Sequence, residues 1–281
     1  MRGFGLPIRV CDPMGPSRYT SPRVETLTLA TEVPLTLNFQ LSTLNFPLSI
    51  NMVLSKYISS LLSLVFPKTC GGCGGYLVEG EKEVCLKCLC DLSRTGFHKE
   101  DDNDAEKLFW GKVKVERATA FCRFHKGGVS QQLLHNLKYK GMKTLGVEMG
   151  RIMGQEIKGY PIADVDCIVP VPLHPSKLRK RGYNQAEMIA KGLGEVLEIP
   201  VDVTSLERTR GNETQTHKNI NERYINSLEL FALTAKAESL KGKHVLLVDD
   251  VITTGATLEA CARELLKIDG VKVNCIAFAM V

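Results

Sequence analysis

Two adjacent carboxylates, Asp249 and Asp250, close an unbroken apolar run from Val245 to Val248. Small and hydroxylated residues follow them: Thr253, Thr254, Gly255, Ala256 and Thr257. Four apolar residues without alternation are the pattern of a parallel strand buried on both faces. Beyond the turn, Leu258, Ala262, Leu265 and Leu266 make an apolar stripe at helical spacing. In an open α/β sheet, ligands bind beyond the carboxyl ends of the strands. A threonine-rich turn at a helix N-terminus offers N–H and O–H groups that suit a phosphate. Carboxylates repel phosphate, so Asp249 and Asp250 call for a hydrogen-bond donor beside the anion. A sugar cis-diol is such a donor, and each charge-assisted bond contributes about 1.5–3 kcal/mol. The ligand implied is a ribose 5-phosphate. The competing reading is an ordinary strand-to-helix turn whose acids cap the helix. A Walker A loop is excluded, because no Gly-Lys-Ser/Thr follows the glycine.

A second cluster is cationic. The run Lys177-Leu-Arg-Lys-Arg181 carries four positive charges in five residues. It follows an apolar segment, Cys167 to Val171, that reads as another buried strand running into a proline-stiffened loop at Pro172. It precedes a helix with the stripe Ala186, Ile189, Ala190, Leu193 and Leu197. A charge run is usually a solvated face. Here the preceding strand aims a cationic loop at the sheet edge that carries Asp249 and Asp250, which makes it a second anion site.

The third group is sulfur. Cys70-Gly-Gly-Cys73 and Cys85-Leu-Lys-Cys88 are two CxxC pairs separated by eleven residues, a spacing that signals zinc. Four thiolates close a tetrahedron, so the site is structural and keeps no open position for catalysis. Bound zinc supplies roughly 10–16 kcal/mol to segments too short to bury a core. Cys90 is a spare, either a buried thiol or a substitute for Cys88. A pair of disulfides is the alternative to the metal.

The elements that position these groups are those of an ordinary globular protein. The 281 residues are 44% hydrophobic and 24% charged, with a net charge of +5. That charge suits an anionic ligand and is too small to argue for nucleic acid by itself. No apolar run reaches the roughly 18 residues of a membrane span, and Tyr57 to Phe66 reads as an amphipathic helix. Residues 1–51, rich in Thr, Ser, Leu and Pro, are expected to add no fold, with Met52 as the start of the regular chain. A targeting peptide and a disordered tail are the other readings, and a secretory signal pattern is missing. Residues 52–92 form the cysteine knuckle, and 91–112 read as a polar surface linker. From 113 to 281 the pattern is α/β. Ala118 to Phe124 is a strand. Val129, Leu133 and Leu137 mark one helix, and Leu145, Met149, Ile152, Met153 and Ile157 another. Between them, Leu137-Lys-Tyr-Lys-Gly141 is a basic corner, read as a solvated helix end with an approach to an anionic ligand as the alternative. Residues 207–223 are almost wholly polar, and a loop of that length is usually functional or mobile. Val271 to Val281 reads as a strand beside the motif strand.

The acidic pair with its Thr/Gly-rich loop resembles the phosphoribosyl-diphosphate (PRPP) motif of type I phosphoribosyltransferases. The resemblance implies a parallel sheet flanked by helices, preceded by a small four-cysteine, zinc-ribbon-like knuckle. It assigns the ribose hydroxyls to Asp249 and Asp250, and the 5-phosphate to Thr253, Thr254, Gly255, Ala256 and Thr257. It carries Val171, Pro172, Lys177 and Arg181 over to the diphosphate end of PRPP. More closely, Val169-Pro-Val-Pro-Leu-His-Pro with Arg181-Gly-Tyr-Asn-Gln185, the knuckle and the Leu-Lys-Tyr-Lys-Gly corner are similar, in the same order, to the competence protein F (ComF) family over about Met52 to Val281. In the polar loop, Arg208, Thr214, Gln215 and Arg223 resemble that family's pattern, where type I enzymes close a loop over the substrate. The resemblance implies transfer of phosphoribosyl from magnesium-bound PRPP to an unknown acceptor. Asp249 and Asp250 would fix the ring, and Lys177 and Arg181 would stabilise the leaving diphosphate. It further implies a cytoplasmic protein tied to natural transformation, with single-stranded DNA and competence-machinery proteins as candidate partners. The alternative from another class is a non-enzymatic module that senses PRPP or handles single-stranded DNA. One Trp and 6% aromatic residues are few for a general single-strand binder.

Overall fold

Val245, Leu246, Leu247 and Val248 are all fully buried, and the sheet around them shows why. The computed structural model describes residues 67–209 and 230–281. The N-terminal extension, the stretch Tyr57–Phe66, and Thr214, Gln215 and Arg223 lie outside the described residues. Lys68–Val281 make one compact unit. Its elements in chain order are α1 (Leu86–Asp91), α2 (Asp104–Lys107), β1 (Arg117–Arg123), α3 (Val129–Tyr139), α4 (Lys143–Ile157), β2 (Cys167–Pro170), α5 (Pro175–Arg181), α6 (Gln185–Leu197), β3 (Leu206–Arg208), β4 (Phe231–Leu233), β5 (His244–Ile252), α7 (Ala256–Leu265) and β6 (Lys272–Met280).

Four strands form a parallel sheet in the order β1-β6-β5-β2, and β3 pairs with β4 in a separate antiparallel pair. Along β5 the pleat sends alternate residues to opposite faces. Val245 and Leu247 join a core with Leu258, Ala262 and Leu265 of α7. Leu246 and Val248 join a second core with Leu133, Leu137, Met149 and Leu193 of α3, α4 and α6. Helices therefore cover both faces, as an unbroken apolar strand requires. Cys70, Val84, Cys88 and Leu92 pack into the second core.

Three expectations are corrected. The strand does not stop at the acidic pair: β5 runs on to Ile252, because β6 pairs Val251 with Ala279 and Ile252 with Met280. The basic run is a helix, not a loop. Pro175 occupies its first turn, Gly182 ends it at φ +79°, and none of its residues is buried. Finally, 91–112 is not a surface linker. It delivers Phe97, Ala105 and Phe109 to the core. Asn103 makes this possible. Its Oδ1 accepts from the N–H groups of Ala105 and Glu106, while its Nδ2 donates to the carbonyls of Phe97, Glu100 and Ala118.

The tightest contact in the second core is the crossing of α4 and α6. A Cβ on Gly192 would lie 1.9 Å from the Val147 carbonyl oxygen, and one on Gly150 2.0 Å from that of Ile189. In an open helix, Gly→Ala favours folding by about 1 kcal/mol. At this crossing Gly192→Ala is expected to destabilise the protein by about 1–3 kcal/mol, since backbone cannot yield as side chains do. A melting temperature that stays level or rises would contradict so close a crossing.

Candidate functional site

The carboxyl ends of β2 and β5 lie side by side, since the Val171 N–H donates to the Val248 carbonyl at 2.8 Å. Asp249 and Asp250 occupy that edge, both half-buried. The Asp250 N–H donates to Asp249 Oδ1 at 2.8 Å. Burial and the charge of Asp250 push the Asp249 carboxyl up to about 7. The Asp250 N–H, Lys138 and Arg208 pull the other way and fall short. Asp250 itself is met by Lys138, whose Nζ lies 2.9 Å from Oδ2.

The turn after the strand is shorter than the sequence suggests. Only Thr253, Thr254 and Gly255 lie outside regular structure, and Ala256 and Thr257 already belong to α7. Gly255 caps that helix at φ +78°, a conformation that favours glycine. Its carbonyl accepts from Glu259, the Ala256 N–H donates to Thr254 Oγ1 at 3.5 Å, and the turn sits at the helix's positive end. Gly255 is backed closely: a Cβ there would meet Leu108 at 3.3 Å and Phe109 at 3.6 Å. The segment read as a linker thus supports the Thr253–Gly255 turn from behind.

The cations arrive from three elements. Lys177 and Arg181 come from α5, Lys138 from the last turn of α3, and Arg208 from β3. Burial pushes the Lys177 ammonium down, and the charges of Arg208, Arg181 and Lys138 add to that, so all four share one field. Arg208 is likewise lowered, first by burial, while Asp249 acts in the opposite direction. Arg181 donates to Gln185 Oε1 and stands over the Tyr139 ring at 5.6 Å. Asn184 Nδ2 donates to the Val171 carbonyl at 2.9 Å, which ties the start of α6 to the strand end. Val171 therefore has both backbone groups engaged within the protein, and Pro172 follows it at the same edge.

A turn that presents N–H groups, a paired carboxylate and a bank of four cations meet on one sheet edge. Residues 179–281 match the family model described as "Phosphoribosyl transferase domain". This stretch is similar to a phosphoribosyl transferase domain. The matched residues include Arg181, Arg208, the acidic pair and the turn Thr253–Thr257, and they leave out Lys138, Val171, Pro172, Lys177 and the four knuckle cysteines. Among curated relatives, DNA utilization protein YhgH of Salmonella typhi is 31% identical over 141 residues, covering 48% of this chain and 60% of the relative. Competence protein F of Haemophilus influenzae is 35% identical over 103 residues, 37% of this chain and 45% of the relative. The match thus spans at most about 60% of the length of these relatives. Among solved structures, the "allosteric regulatory enzyme of purine biosynthesis" is similar at 20% identity and a TM-score of 0.33, over 46% of this chain and 25% of that one. A likeness that loose bears on neither activity nor substrate.

The four cysteines meet as their spacing predicts. The sulfurs of Cys70, Cys73, Cys85 and Cys88 all lie within 4.8 Å of one another, and those of Cys73 and Cys85 are 3.8 Å apart. Ligands about 2.3 Å from a tetrahedral ion stand roughly 3.8 Å from each other, so the cluster can hold a metal ion. The surrounding backbone suits thiolates. Gly72 and Cys85 donate N–H groups to Cys70 Sγ, Gly75 to Cys73 Sγ and Cys88 to Cys85 Sγ. Burial raises the Cys70 thiol, but hydrogen bonds from the backbone of Cys85, Cys73 and Gly72 outweigh it and bring the group to about 7. Burial pushes Cys88 strongly up. A Cβ on Gly72 would come within 2.8 Å of Cys88 Sγ, so the knuckle leaves no room there. Cys90 is exposed on α1 and stands outside the four-sulfur group, which corrects both readings of it as a spare. No helix among the described residues is long and apolar enough to cross a membrane.

Sequence reasoning held one part of the site only as its alternative reading and missed another. Lys138 points into it rather than into solvent. The signal was the basic corner itself, one residue past the buried Leu137. Leu108 and Phe109 carried no signal, for nothing local connects them to Gly255.

The raised Asp249 carboxyl has a measurable consequence. An Asp whose folded value lies above its unfolded value of about 3.9 destabilises the fold while it is ionised. That cost is fully present above about pH 7 and is relieved as pH falls from there towards the unfolded value. Asp249→Asn should therefore melt higher than the parent protein above pH 7.5, with the gap narrowing steadily on acidification and closing only near pH 4. A gap that is constant or widens on acidification would refute the shift.

Proposed function

We propose that the chain binds PRPP at this edge and transfers its phosphoribosyl group to an acceptor. The observation that carries this is the carboxylate pair, half-buried and held among four cations directly before a helix N-terminus. A phosphate site alone has no use for two carboxylates. A ribose 5-phosphate has a diol to donate to them and a phosphate for the turn. Thr253, Thr254, Gly255, Ala256 and Thr257 would take the 5-phosphate. Asp249 and Asp250 would accept from the 2- and 3-hydroxyls. Lys177 and Arg181 would hold the diphosphate, with Val171 and Pro172 shaping the strand end beneath it.

In the reaction the bond from ribose C1 to the diphosphate oxygen breaks, the electron pair leaves with the diphosphate, and an acceptor lone pair forms the new bond to C1. Positive charge builds on the ring, and the two carboxylates beneath it stabilise that charge as well as the ring's orientation. The cationic side chains of α5 stabilise the departing anion. Magnesium, carried in with the diphosphate, would add charge neutralisation at the leaving group. No covalent enzyme intermediate is needed.

The cysteine cluster, we propose, holds a structural zinc. The donor set and the absence of an open ligand position favour that metal over a catalytic one. The buried free thiols Cys122, Cys167, Cys261 and Cys275 suit a reducing, cytoplasmic setting. The relatives' names concern DNA utilization and competence. On that basis the chain belongs to DNA uptake and handling, with single-stranded DNA and competence proteins as its partners.

Three experiments test these assignments. Titration calorimetry of Asp250→Asn should show PRPP binding weakened by about 1.5–3 kcal/mol, tenfold or more, with inorganic phosphate spared. Arg181→Ala should weaken PRPP while leaving ribose 5-phosphate nearly unchanged. PRPP binding that is equal or tighter in Asp250→Asn would end the ribose reading. Turnover against a panel of bases and amines then separates an enzyme from a PRPP sensor. For the knuckle, metal analysis should find one zinc per chain, and Cys88→Ser should lose it and melt several degrees lower, as expected for a loss of about 1 kcal/mol or more. Zinc-free protein with the parent's melting temperature would remove the metal from the account.

A further inference from the structure

Lys138 lies outside both anion-binding segments and outside the matched residues 179–281, yet its ammonium is 2.9 Å from Asp250 Oδ2. Most lysines at a helix end keep their rotamer freedom, and an exposed pair contributes little. This pair is neither exposed nor loose. The two side chains are 26% and 15% exposed. The backbone on the near side of Lys138 is pinned in two places. Asn136 Nδ2 donates to the Gly71 carbonyl at 2.7 Å, and the Tyr183 hydroxyl donates to the Leu137 carbonyl. Leu133, Leu134 and Leu137 are buried. The last turn of α3 is therefore a fixed mount, held by the knuckle on one side and by the start of α6 on the other.

Other charges compete for the Asp250 carboxylate. Lys177 already feels it. Around the pair stand Asp249 on β5, Lys177 and Arg181 on α5, Arg208 on β3 and Cys261 on α7. A carboxylate released from Lys138 would be drawn to the cations of α5, which lie on the diphosphate side, and would turn away from the ribose.

We propose that Lys138 is a positioning residue for the ribose. It holds Asp250 by one oxygen, keeps the other free for the diol, and stays on the carboxylate when the ligand binds. This rests on the ribose 5-phosphate reading of the site. Lys138 does not itself contact the sugar. It acts through Asp250, so its effect depends on Asp250 being present.

A double-mutant cycle read by calorimetry tests this, with ribose 5-phosphate and inorganic phosphate as the two probes. Lys138→Met should weaken ribose 5-phosphate about tenfold, as for a lost charge-assisted hydrogen bond, and leave inorganic phosphate unchanged. Lys138→Arg should restore most of the loss. In the Asp250→Asn protein, Lys138→Met should change nothing further. The pH midpoint for ribose 5-phosphate binding should also rise in Lys138→Met, because a cation that favours the ionised pair is gone. Phosphate ester protonation is common to both proteins and cancels in the difference. If Lys138→Met fails to fold, Lys138→Gln, which keeps the stem, replaces it in the same cycle. Equal losses for both probes would make Lys138 a general anion contact and overturn the proposal, as would additive losses in the cycle or an unaltered ribose 5-phosphate affinity. A parent protein that binds inorganic phosphate but no ribose 5-phosphate would overturn the underlying reading, and the positioning role with it.

Discussion

Two carboxylates placed side by side at the edge of a sheet repel each other, and the structure is arranged around that constraint. Asp249 shows the cost directly, since burial and its neighbour's charge raise it to about 7. The offsetting charge is not local. It arrives from α3, α5 and β3, three elements far apart in the chain that meet only because the parallel sheet brings the ends of β2 and β5 together. A sheet of this topology can carry such a site because its carboxyl edge gathers loops and helix ends whose lengths are independent of the core. Beneath the site, the strand is apolar, with Val245 to Val248 completely buried.

The sheet and the paired helices were legible in the sequence for a physical reason. An apolar run without alternation must be covered on two faces, and the long stripes of α3, α4 and α6 supply half of the cover. The acidic pair and the threonine turn were legible because charge directly after a buried strand has few other uses. The cysteine cluster followed from spacing alone, since two CxxC knuckles have little else to do with four sulfurs.

What was not legible depended on partners distant in sequence. The helix α5 has no apolar stripe because it buries nothing, so periodicity could not report it. The length of β5 is set by β6, which continues the pairing as far as Met280. The stretch around Asn103 looks like linker because its few buried side chains, Phe97, Ala105 and Phe109, are scattered among charged ones. Its helical turns are short, and the carbonyls of Phe97, Glu100 and Ala118 are gathered by one side-chain amide, that of Asn103. Lys138 is half-buried at the edge of a buried stripe, and only the sheet determines that its neighbour is Asp250.

The lack of buried residues in α5 has a consequence of its own. The helix that presents Lys177 and Arg181 is tethered through the proline at its start and the Gly182–Asn184 corner at its end, with no side chain anchored in either core. Segments of that kind sit at the low end of a protein's local opening free energies. Ordering one on a ligand draws on the ligand's own interaction energy, so measured affinity understates the contacts formed. It also separates two properties of the molecule: the hold of this helix on an anion can loosen without disturbing the sheet, so the rigidity of the core does not set the rate at which a ligand leaves.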